Sequence, residues 1–440
     1  MRVAITAVLS YQSEVFFITR QNHLTAFPGY TAFPGGTVEK SDHCDHPMLS
    51  DFSPALAGAL VRELKEELDF DLIQSLNSNQ VLALKPLDIA VTPSFNPYRF
   101  ETHFVHIELK EKLSFKCDEH EIREGAWRDP KNVLKEYFQN DIVCVPPTLR
   151  VIEAFASPIR PVHVDFSRDI DLHSEVPFIE VLSGVIQLLP LSNTFPPANR
   201  TNAFIIGDQK RVLIDPSPKD ENEYQKLIKT LKRFEVDEIF LTHHHPDHHE
   251  FSPRLARELS LSISLSAKTE ELILERWGND YFKGLDLIIK AEGDRLTRLR
   301  DVDVILYAVP GHDEGQLAPA ISDHKWIIVG DLIQSVGTVV IGAPEGDMAK
   351  YFESLKKMIQ LKPKFIIPSH GITLGGTDKL EMTLKHRQHR EQQIIELLKQ
   401  GQNHEQILDH IYQGLEVSLV KYARKTIDAH IKKITDEKLI

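Results

Sequence analysis

Runs of apolar residues alternate with polar stretches in two different periods, which predicts a chain of mixed α and β structure. Segment 55–68 has apolar positions at helical spacing, and segment 252–259 shows the same pattern in the second half. Short apolar runs of strand character are found at 1–10, 14–19, 99–107, 202–206, 211–214, 238–241, 302–309, 326–329 and 364–367. Because strands and helices alternate, the pattern predicts layered α/β architecture.

The character of the sequence changes at two places. Residues 157–177 carry prolines and several charges without periodicity, which is typical of a connecting segment. After Lys385 the chain has long helix-compatible stretches, with glycine only at Gly401 and Gly414. We therefore predict four segments: a domain at 1–157, a linker at 158–177, a second domain at 178–380 and a small helical domain at 381–440.

Composition narrows the function classes without selecting one. The chain has 440 residues, of which 42% are hydrophobic and 26% charged, so it can build more than one core and is not expected to be disordered. With 51 basic and 64 acidic residues, the net charge of −13 provides no general attraction for nucleic acid or an anionic membrane. The few, widely spaced cysteines and the lack of a long apolar run predict a cytoplasmic protein without a membrane anchor.

A cluster of histidines follows one of the strand-like runs, within residues 243–249. In an extended loop His243 and His245 point the same way, whereas Asp247 and His248 turn back as the next segment begins. One turn can therefore supply two adjacent metal sites. Imidazole together with carboxylate suits zinc, and iron or manganese are the alternatives.

Three more potential ligands stand at the ends of later strand-like runs. His312, Asp331 and His370 each follow such a run and lie close to glycine or proline. Loops at the carboxyl edge of a sheet gather side chains into a site in this way. These residues are therefore predicted to join the histidine cluster.

The order of these motifs, T-H-x-H-x-D-H, then P-G-H, then G-D and a final histidine, resembles the signature of the metallo-β-lactamase superfamily. The resemblance implies an αβ/βα sandwich with two divalent metals and a metal-bridged hydroxide that attacks an ester, thioester or phosphodiester. The implied ligands are His243, His245 and His312 for the first metal, Asp247, His248 and His370 for the second, and Asp331 for both. Asp247 and Asp331 are also expected to orient the attacking water. His244 and His249 match no ligand position, and they either support the ligands or face solvent.

Spacing and flanking segments favour one part of that superfamily. The last aspartate and the last histidine are too close in sequence to enclose the inserted domain of the RNA-processing and DNA-repair nucleases. Segments 199–202, 213–216 and 337–348 resemble the mitochondrial endoribonuclease branch, a close relative of the glyoxalase II-like group, and the tail resembles its small winged-helix-like domain. Gln316 stands where the family usually has a second histidine, a position that does not normally bind metal.

The first domain contains a second set of acidic residues. Glu63, Glu66 and Glu67 lie at i, i+3 and i+4 of the predicted helix, so three carboxylates share one face and would repel one another without a cation. Oxygen ligands suit Mg²⁺ or Mn²⁺, which can also hold a diphosphate. The pair Gly35 and Gly36 allows the backbone to approach this site closely.

This pattern resembles the Nudix box, which implies a Nudix α/β/α sandwich in the first domain, with Arg62 orienting Glu63 and the three glutamates binding metal. The resemblance is to the branch that includes peroxisomal coenzyme A diphosphatases, on the segments 92–93, 97–102, 119–127 and 146–148. Asp42 replaces the first glutamate of the box at an unusually long spacing, and Asp69 replaces the glycine after the double glutamate. Glu121 is a further candidate ligand or base.

Together these features predict an α/β multidomain hydrolase with two sites for small-molecule substrates. Catalytic roles are expected for Asp247 and Asp331 in the second domain and for Glu63 in the first. The alternative is a single-strand endoribonuclease in which the Nudix part binds or senses a nucleotide. A charged helix face in the tail supports RNA only weakly, because such faces are usually just solvated. Its basic residues are Arg424, Lys425, Lys432 and Lys433.

Overall fold

The computed structural model describes residues 1–96, 98–159, 161–167 and 169–440. Pro97, from a Nudix-like segment, and Arg160 and Arg168, from the predicted linker, lie outside the described residues. The chain divides into two compact units, Met1–Ile170 with Ile179–Ser183 and Asp171–Phe178 with Gly184–Ile440. The finer division into four segments stays a prediction.

The first unit is built on a seven-stranded sheet within the described residues. Its strands are β1 (Arg2–Tyr11), β2 (Glu14–Arg20), β3 (Thr31–Ala32), β4 (Gly35–Thr37), β5 (Val81–Val91), β6 (Phe100–Leu109) and β7 (Ile122–Arg128). Its helices are α1 (Pro54–Leu68), α2 (Leu72–Asn77), α3 (Pro130–Phe138) and α4 (Pro146–Ala156), with a 3₁₀ turn at Pro47–Leu49. The order is β3-β2-β1-β6-β5, with β4 paired to β1 and β7 to β2. A short strand, β8 (Phe178–Leu182), follows later in the chain.

Helices cover both faces of this sheet, as the contacts of β1 show. Successive residues of a strand point to opposite sides of the sheet. Ile5 and Leu9 lie in an apolar cluster with Leu64 of α1. Val8 lies in a different cluster, with Val151 of α4. The predicted α/β/α sandwich is therefore confirmed.

Helix α1 begins and ends where the sequence supplies caps. The Ser53 hydroxyl accepts a hydrogen bond from the Leu56 amide, and Pro54 occupies the first turn, where its missing N–H is not needed. The helix ends at Leu68, and the capping residue Asp69 that follows it has a left-handed φ of 53°. Aspartate tolerates this conformation better than most residues, so Asp69 takes over the capping role of the glycine that it replaces.

The second unit contains two further sheets. Its strands are β9 (Val185–Leu188), β10 (Ala203–Ile206), β11 (Val212–Ile214), β12 (Glu238–Phe240), β13 (Ser262–Ser266), β14 (Leu287–Lys290), β15 (Arg295–Leu299), β16 (Val302–Ala308), β17 (Leu317–Ile321), β18 (Trp326–Gly330), β19 (Phe365–Pro368) and β20 (Leu374–Gly375). Its first helices are α5 (Glu221–Leu231), α6 (Pro246–His249), α7 (Ser252–Leu259), α8 (Ala267–Trp277) and α9 (Met348–Gln360). One sheet includes β14-β13-β12-β11-β10-β9 in that order, and the other is β15-β16-β17-β18-β19-β20.

Helices pack against both sheet systems of this unit. Leu227 of α5 and Leu255 of α7 share a buried apolar cluster with Ile239 of β12. On the other side, α9 is held by hydrogen bonds from the Tyr351 hydroxyl to the Leu332 carbonyl and from Ser354 to a loop carbonyl. The predicted αβ/βα sandwich is therefore confirmed.

Three helices complete the chain: α10 (Asp378–Lys399), α11 (His404–Ile411) and α12 (Val417–Asp436). They enclose a small apolar cluster that includes Ile394, Ile407 and Ile427. After β20 the structure describes no strand up to residue 440, so the helical tail is present whereas its winged-helix character is not confirmed. None of the described helices combines the length and apolar character needed to cross a membrane.

Candidate metal centres

The predicted ligands of the second domain lie just beyond the carboxyl ends of four strands. His243 follows β12, His312 follows β16, Asp331 follows β18 and His370 follows β19. The strands β11, β12 and β13 run parallel, as do β18 and β19, so their carboxyl ends meet at shared edges. The side chains therefore converge although they are far apart in sequence.

Three imidazoles form the first group. Nε2 of His243 lies 3.1 Å from Nδ1 of His245, and that Nδ1 lies 2.9 Å from Nε2 of His312. These nitrogens are close enough to one another to hold a single ion.

Asp247, His248 and His370 form the second group, whose ligand atoms could also hold one ion. Oδ1 of Asp331 lies 3.3 Å from Nε2 of His370 and 3.7 Å from Nε2 of His248. Its other oxygen, Oδ2, lies 3.7 Å from Nε2 of His312, which belongs to the first group. Asp331 thus stands between the two groups, as the sequence predicts.

Hydrogen bonds on the far side of three rings orient them toward the centre. Nδ1 of His312 donates to the Val340 carbonyl at 2.9 Å, and Nδ1 of His370 donates to the Arg200 carbonyl at 2.9 Å. Nδ1 of His248 is bonded to a carboxylate in the same way. Among the described residues, the buried Nε2 atoms of His248 and His370 have no hydrogen-bond partner, which is the state expected of ligands aimed at a cation.

Burial and neighbouring charges set the ionisation of these groups. Burial lowers the pKa of His243 well below its ordinary value and that of His312 to about 4, so both rings are neutral. Burial alone would raise the pKa of Asp331, but His370 and His248 beside it lower that pKa well below its ordinary value. Burial would also lower the pKa of His248 and His370, but neighbouring carboxylates, including Asp247 and Asp331, raise both pKa values, so a bound cation would replace protons on these two rings.

In the first domain, Arg62 joins the acidic residues predicted for its site. The guanidinium donates from Nε to Oδ1 of Asp42 at 2.8 Å and from Nη2 to Oδ2 at 3.0 Å. Its Nη1 donates to Glu63 at 2.8 Å and to Glu66 at 2.9 Å. The aspartate that replaces the first glutamate of the box therefore reaches the arginine despite the long insertion.

Glu67 and Glu63 lie next to the glycine pair Gly35 and Gly36. Oε2 of Glu67 accepts a hydrogen bond from the Gly35 amide at 2.7 Å, and burial raises the pKa of Glu67 to about 8. A Cβ atom on Gly36 would lie 2.2 Å from Oε1 of Glu63, so only glycine leaves room for that carboxylate. Glu121 is near enough to raise the pKa of both Glu63 and Glu67. The structure therefore brings all four glutamates into one neighbourhood, in which Glu67 is buried and Glu66 and Glu121 are exposed.

Comparison with known families agrees with this geometry. A model of the Metallo-beta-lactamase superfamily matches residues 196–370, and a model of the NUDIX domain matches residues 1–146. The chain carries a Nudix domain and a metallo-β-lactamase domain.

Several known proteins resemble the metallo-β-lactamase domain. The chain is 25% identical over 272 residues to the Beta-lactamase-like protein 2 homolog of Drosophila melanogaster, covering 58% of this chain and 89% of that protein. It is 34% identical over 179 residues to Hydroxyacylglutathione hydrolase of Brucella anthropi, covering 38% of this chain and 64% of that protein. A beta-lactamase domain protein from Burkholderia ambifaria shares the fold, with a TM-score of 0.52, 17% identity, and coverage of 62% of this chain and 91% of that chain. The two domains, together with the similarity to a hydrolase, identify the chain as a hydrolase.

Asp215 is a residue of the metallo-β-lactamase domain that the sequence analysis did not select. Its Oδ2 accepts hydrogen bonds from Nδ1 of His248 at 2.8 Å and from the Thr242 hydroxyl at 2.6 Å. Because that hydroxyl donates to Asp215, its oxygen accepts from Nδ1 of His243 at 2.9 Å. One buried carboxylate thus orients an imidazole in each group. In the sequence, the segment 213–216 that contains Asp215 is distinguished only by its resemblance to one branch of the superfamily.

His244 and His249 are both buried, so the solvent-facing alternative is wrong for both. They support the loop at 243–249, which carries four of the predicted ligands. His244 pairs through Nδ1 with the carboxylate of Asp313, another residue that the sequence analysis missed. Nε2 of His249 donates to the His244 carbonyl at 3.0 Å, so its Nδ1 accepts from the Tyr281 hydroxyl at 2.7 Å. The loop is therefore braced from behind.

The side chain of Gln316, which replaces a family histidine, contacts the backbone of β18. That side chain is buried, and Nε2 donates to the Val329 carbonyl of β18 at 2.8 Å. The amide therefore braces the strand that leads to Asp331.

Proposed function

We propose that the chain is a hydrolase with two independent metal sites. In the metallo-β-lactamase domain, a dinuclear site hydrolyses an ester, thioester or phosphodiester. In the Nudix domain, Mg²⁺ or Mn²⁺ serves the hydrolysis of a diphosphate-linked substrate such as coenzyme A or a nucleotide. Zinc is the first choice for the dinuclear site, with iron or manganese as alternatives.

The position of Asp331 between the two imidazole groups carries the proposal for the first site. His243, His245 and His312 would hold one metal, Asp247, His248 and His370 the other, and Asp331 would hold both. When bound, such a pair of cations lowers the pKa of a water molecule and stabilises negative charge on a substrate oxygen.

The protein side chains would contribute orientation and charge balance to this reaction. The outer nitrogens of His312, His370 and His248 are fixed by backbone or carboxylate acceptors, so each ring would present Nε2 to a metal. Asp247, whose Oδ2 accepts a hydrogen bond from Thr201 at 3.2 Å, would orient the attacking water together with Asp331. The relative from Brucella anthropi is named for hydrolysis of hydroxyacylglutathione, which favours an acyl substrate for this site.

For the Nudix site, the supporting observation is the environment of Glu67. A buried carboxyl with a pKa of about 8 beside Glu63 and Glu121 is costly to ionise without a cation, and a divalent metal would replace its proton. Glu63, Glu66 and Glu67 would bind that metal, and Glu63 would act in catalysis. Arg62 would hold Glu63 and Glu66 in place.

Coenzyme A chemistry offers one test of both sites. The full chain, supplied with Zn²⁺ and Mg²⁺, is incubated with acyl coenzyme A while free thiol and phosphopantetheine products are followed by mass spectrometry. We expect His243→Ala to abolish thiol release alone and Glu67→Gln to abolish phosphopantetheine release alone. The exposed His389→Ala is the matched control and should lose neither. Wild-type protein that releases neither product would exclude this substrate, and fewer than two metals bound at the first site would contradict the dinuclear assignment.

Single-strand RNA is the second candidate substrate. The rings of Phe195 and Tyr422 have centroids 4.8 Å apart, and Phe195 is 62% exposed, so an aromatic surface is available on which bases could stack. Against RNA, most of the basic residues predicted for it on α12 are neutralised by carboxylates. The pairs are Arg424 with Glu405, Lys432 with Asp436, and Lys433 with Glu391 and Glu437.

The RNA alternative makes a distinct prediction. Unstructured RNA would be cleaved by the wild type and by Glu66→Gln, but not by His243→Ala. In that case the Nudix domain would serve as a nucleotide-binding module, and calorimetry would detect nucleotide binding without turnover. Nucleotide turnover that Glu67→Gln removes would instead favour two catalytic sites.

A further inference from the structure

A buried arginine of the helical tail contacts the backbone behind the metal site. Arg387 of α10 is only 3% exposed, and its Nη2 donates to the Val339 carbonyl at 2.5 Å. The next carbonyl, that of Val340, accepts the hydrogen bond from Nδ1 of His312 at 2.9 Å. Two consecutive carbonyls thus connect the tail to a metal-site imidazole.

The same arginine also lies near Tyr351, which contacts the backbone next to Asp331. Its Cζ lies 5.9 Å from the centroid of the Tyr351 ring. The hydroxyl of that tyrosine donates to the Leu332 carbonyl at 2.7 Å, and Leu332 directly follows Asp331. Arg387 therefore supports both the backbone segment that is hydrogen-bonded to His312 and the backbone next to Asp331.

We propose that Arg387 is a positioning residue for the metal site. This inference rests on the proposed function, in which His312 binds the first metal and Asp331 binds both. Arg387 fixes the Val339–Val340 backbone and the Tyr351 ring, so that His312 presents Nε2 and Asp331 stays between the two groups. The helical tail is in this way a structural part of the active site.

The chemistry of arginine suits this role. A planar guanidinium can donate to a carbonyl and lie near an aromatic ring at the same time, which the compact ammonium of lysine does less well. Removing it would leave the buried Val339 carbonyl without its donor and release the segment that holds the ring of His312. Loss of a group that orients a metal ligand typically weakens metal binding by about 10- to 100-fold, and an effect through the backbone should lie near tenfold.

The test compares two arginines of α10 in the full chain. Arg387→Met removes the proposed interaction and keeps apolar bulk, and Arg387→Lys is the conservative variant. Arg390→Met is the matched control, because Arg390 also donates to a carbonyl, that of Ile411, and lies 4.8 Å from the ring of Tyr412, but both partners belong to the tail. Each protein is loaded with Co²⁺, and its visible absorption spectrum and its Co²⁺ dissociation constant are measured by chelator competition.

We expect Arg387→Met to change the cobalt bands and to weaken Co²⁺ binding roughly tenfold. Arg387→Lys should fall between it and the wild type, and Arg390→Met should match the wild type. The cobalt bands report ligand geometry, so they distinguish positioning from general loss of stability. If Arg387→Met does not fold, the spectrum of Arg387→Lys decides the question in the same way.

Two results separate failure of this inference from failure of the proposed function. If the wild type binds Co²⁺ at the histidines and both Arg387 variants keep its spectrum and affinity, or if Arg390→Met changes them equally, the positioning role is wrong. If the wild type binds no Co²⁺ at these histidines, the proposed function fails and this inference fails with it.

Discussion

Nδ1 of His248 lies 2.8 Å from Oδ2 of Asp215, and the Thr242 hydroxyl lies 2.6 Å from the same oxygen. Through Thr242 the carboxylate also fixes His243. One side chain therefore sets the ring orientation of a histidine in each of the two groups. Both proposed metal sites thus depend on a residue that is not one of their proposed ligands.

Asp215→Asn should weaken metal binding by about 10- to 100-fold. The asparagine side chain has an NH₂ group in place of one carboxylate oxygen, so a donor would face either the N–H of His248 or a donor of Thr242. Metal retained after dialysis against a chelator, measured by mass spectrometry, checks this. Asp237→Asn is the matched control, since that carboxylate is exposed and accepts from the Arg211 amide. Retention equal to the wild type would show that Asp215 has no orienting role.

The convergence of the histidines in the two groups could be predicted from the sequence because the cluster at 243–249 follows a strand-like run, and the residues at later strand ends repeat that placement. Asp215 could not, because it lies 27 residues before Thr242 and a lone aspartate at a strand end has no distinctive pattern. Its left-handed φ of 49° and its partners become visible only when β11 and β12 pair.

In the Nudix domain, too, local features could be predicted from the sequence, whereas a contact between residues distant in sequence could not. The helix carrying Glu63 and its glycine partners are local features, and helical spacing is enough to predict them. The pairing of Asp42 with Arg62 crosses an insertion that sequence spacing does not resolve, and only the folded backbone brings them to 2.8 Å. Likewise, helical periodicity predicts the tail but says nothing of the contact between Arg387 and Val339.

Gly36→Ala should reduce Nudix activity on the order of 100-fold without unfolding the domain. The new Cβ would lie 2.2 Å from Oε1 of Glu63, which must then move by an ångström or more. Mg²⁺-dependent hydrolysis of a diphosphate-linked substrate measures the loss, and the metallo-β-lactamase site of the same chain provides the internal control. Full Nudix activity in this variant would mean that Glu63 does not need its observed position.

Removing metal should lower the melting temperature of the second unit. Without a cation the buried Nε2 atoms of His248 and His370 and Oδ1 of Asp331 have no hydrogen-bond partner among the described residues. Zn²⁺ at about 100 times its dissociation constant would stabilise the folded state by ~2.7 kcal/mol, or roughly 5–10 °C.

Calorimetry with added Zn²⁺ and with a chelator tests this expectation. His370→Ala should show a smaller difference between the two conditions because it removes one ligand. Identical melting of the wild type in both conditions would contradict a metal site at these residues.

The tail should lose stability in mild acid because of His430. Burial lowers the pKa of this ring below its ordinary 6.5, and its Nδ1 faces Glu391 at 3.4 Å, with Lys433 and Arg387 as further charged neighbours. Since the folded pKa is below the unfolded value, the unfolded chain binds more protons as pH falls through 6.5. Folding stability is therefore retained above pH 6.5 and falls below it, by up to ~1.4 kcal/mol per pH unit.

The pH range from about 7.5 down to 5.5 separates this effect from the titration of Glu391. The pKa of Glu391, although burial would raise it, is lowered by His430 and Lys433, so its own contribution is lost only at more acid pH. Denaturant unfolding of the tail, followed by helical circular dichroism, should show a shallower dependence on pH in His430→Gln than in the wild type. The exposed His389→Gln should keep the wild-type slope, and a His430→Gln slope equal to that of the wild type would assign the acid sensitivity to another group.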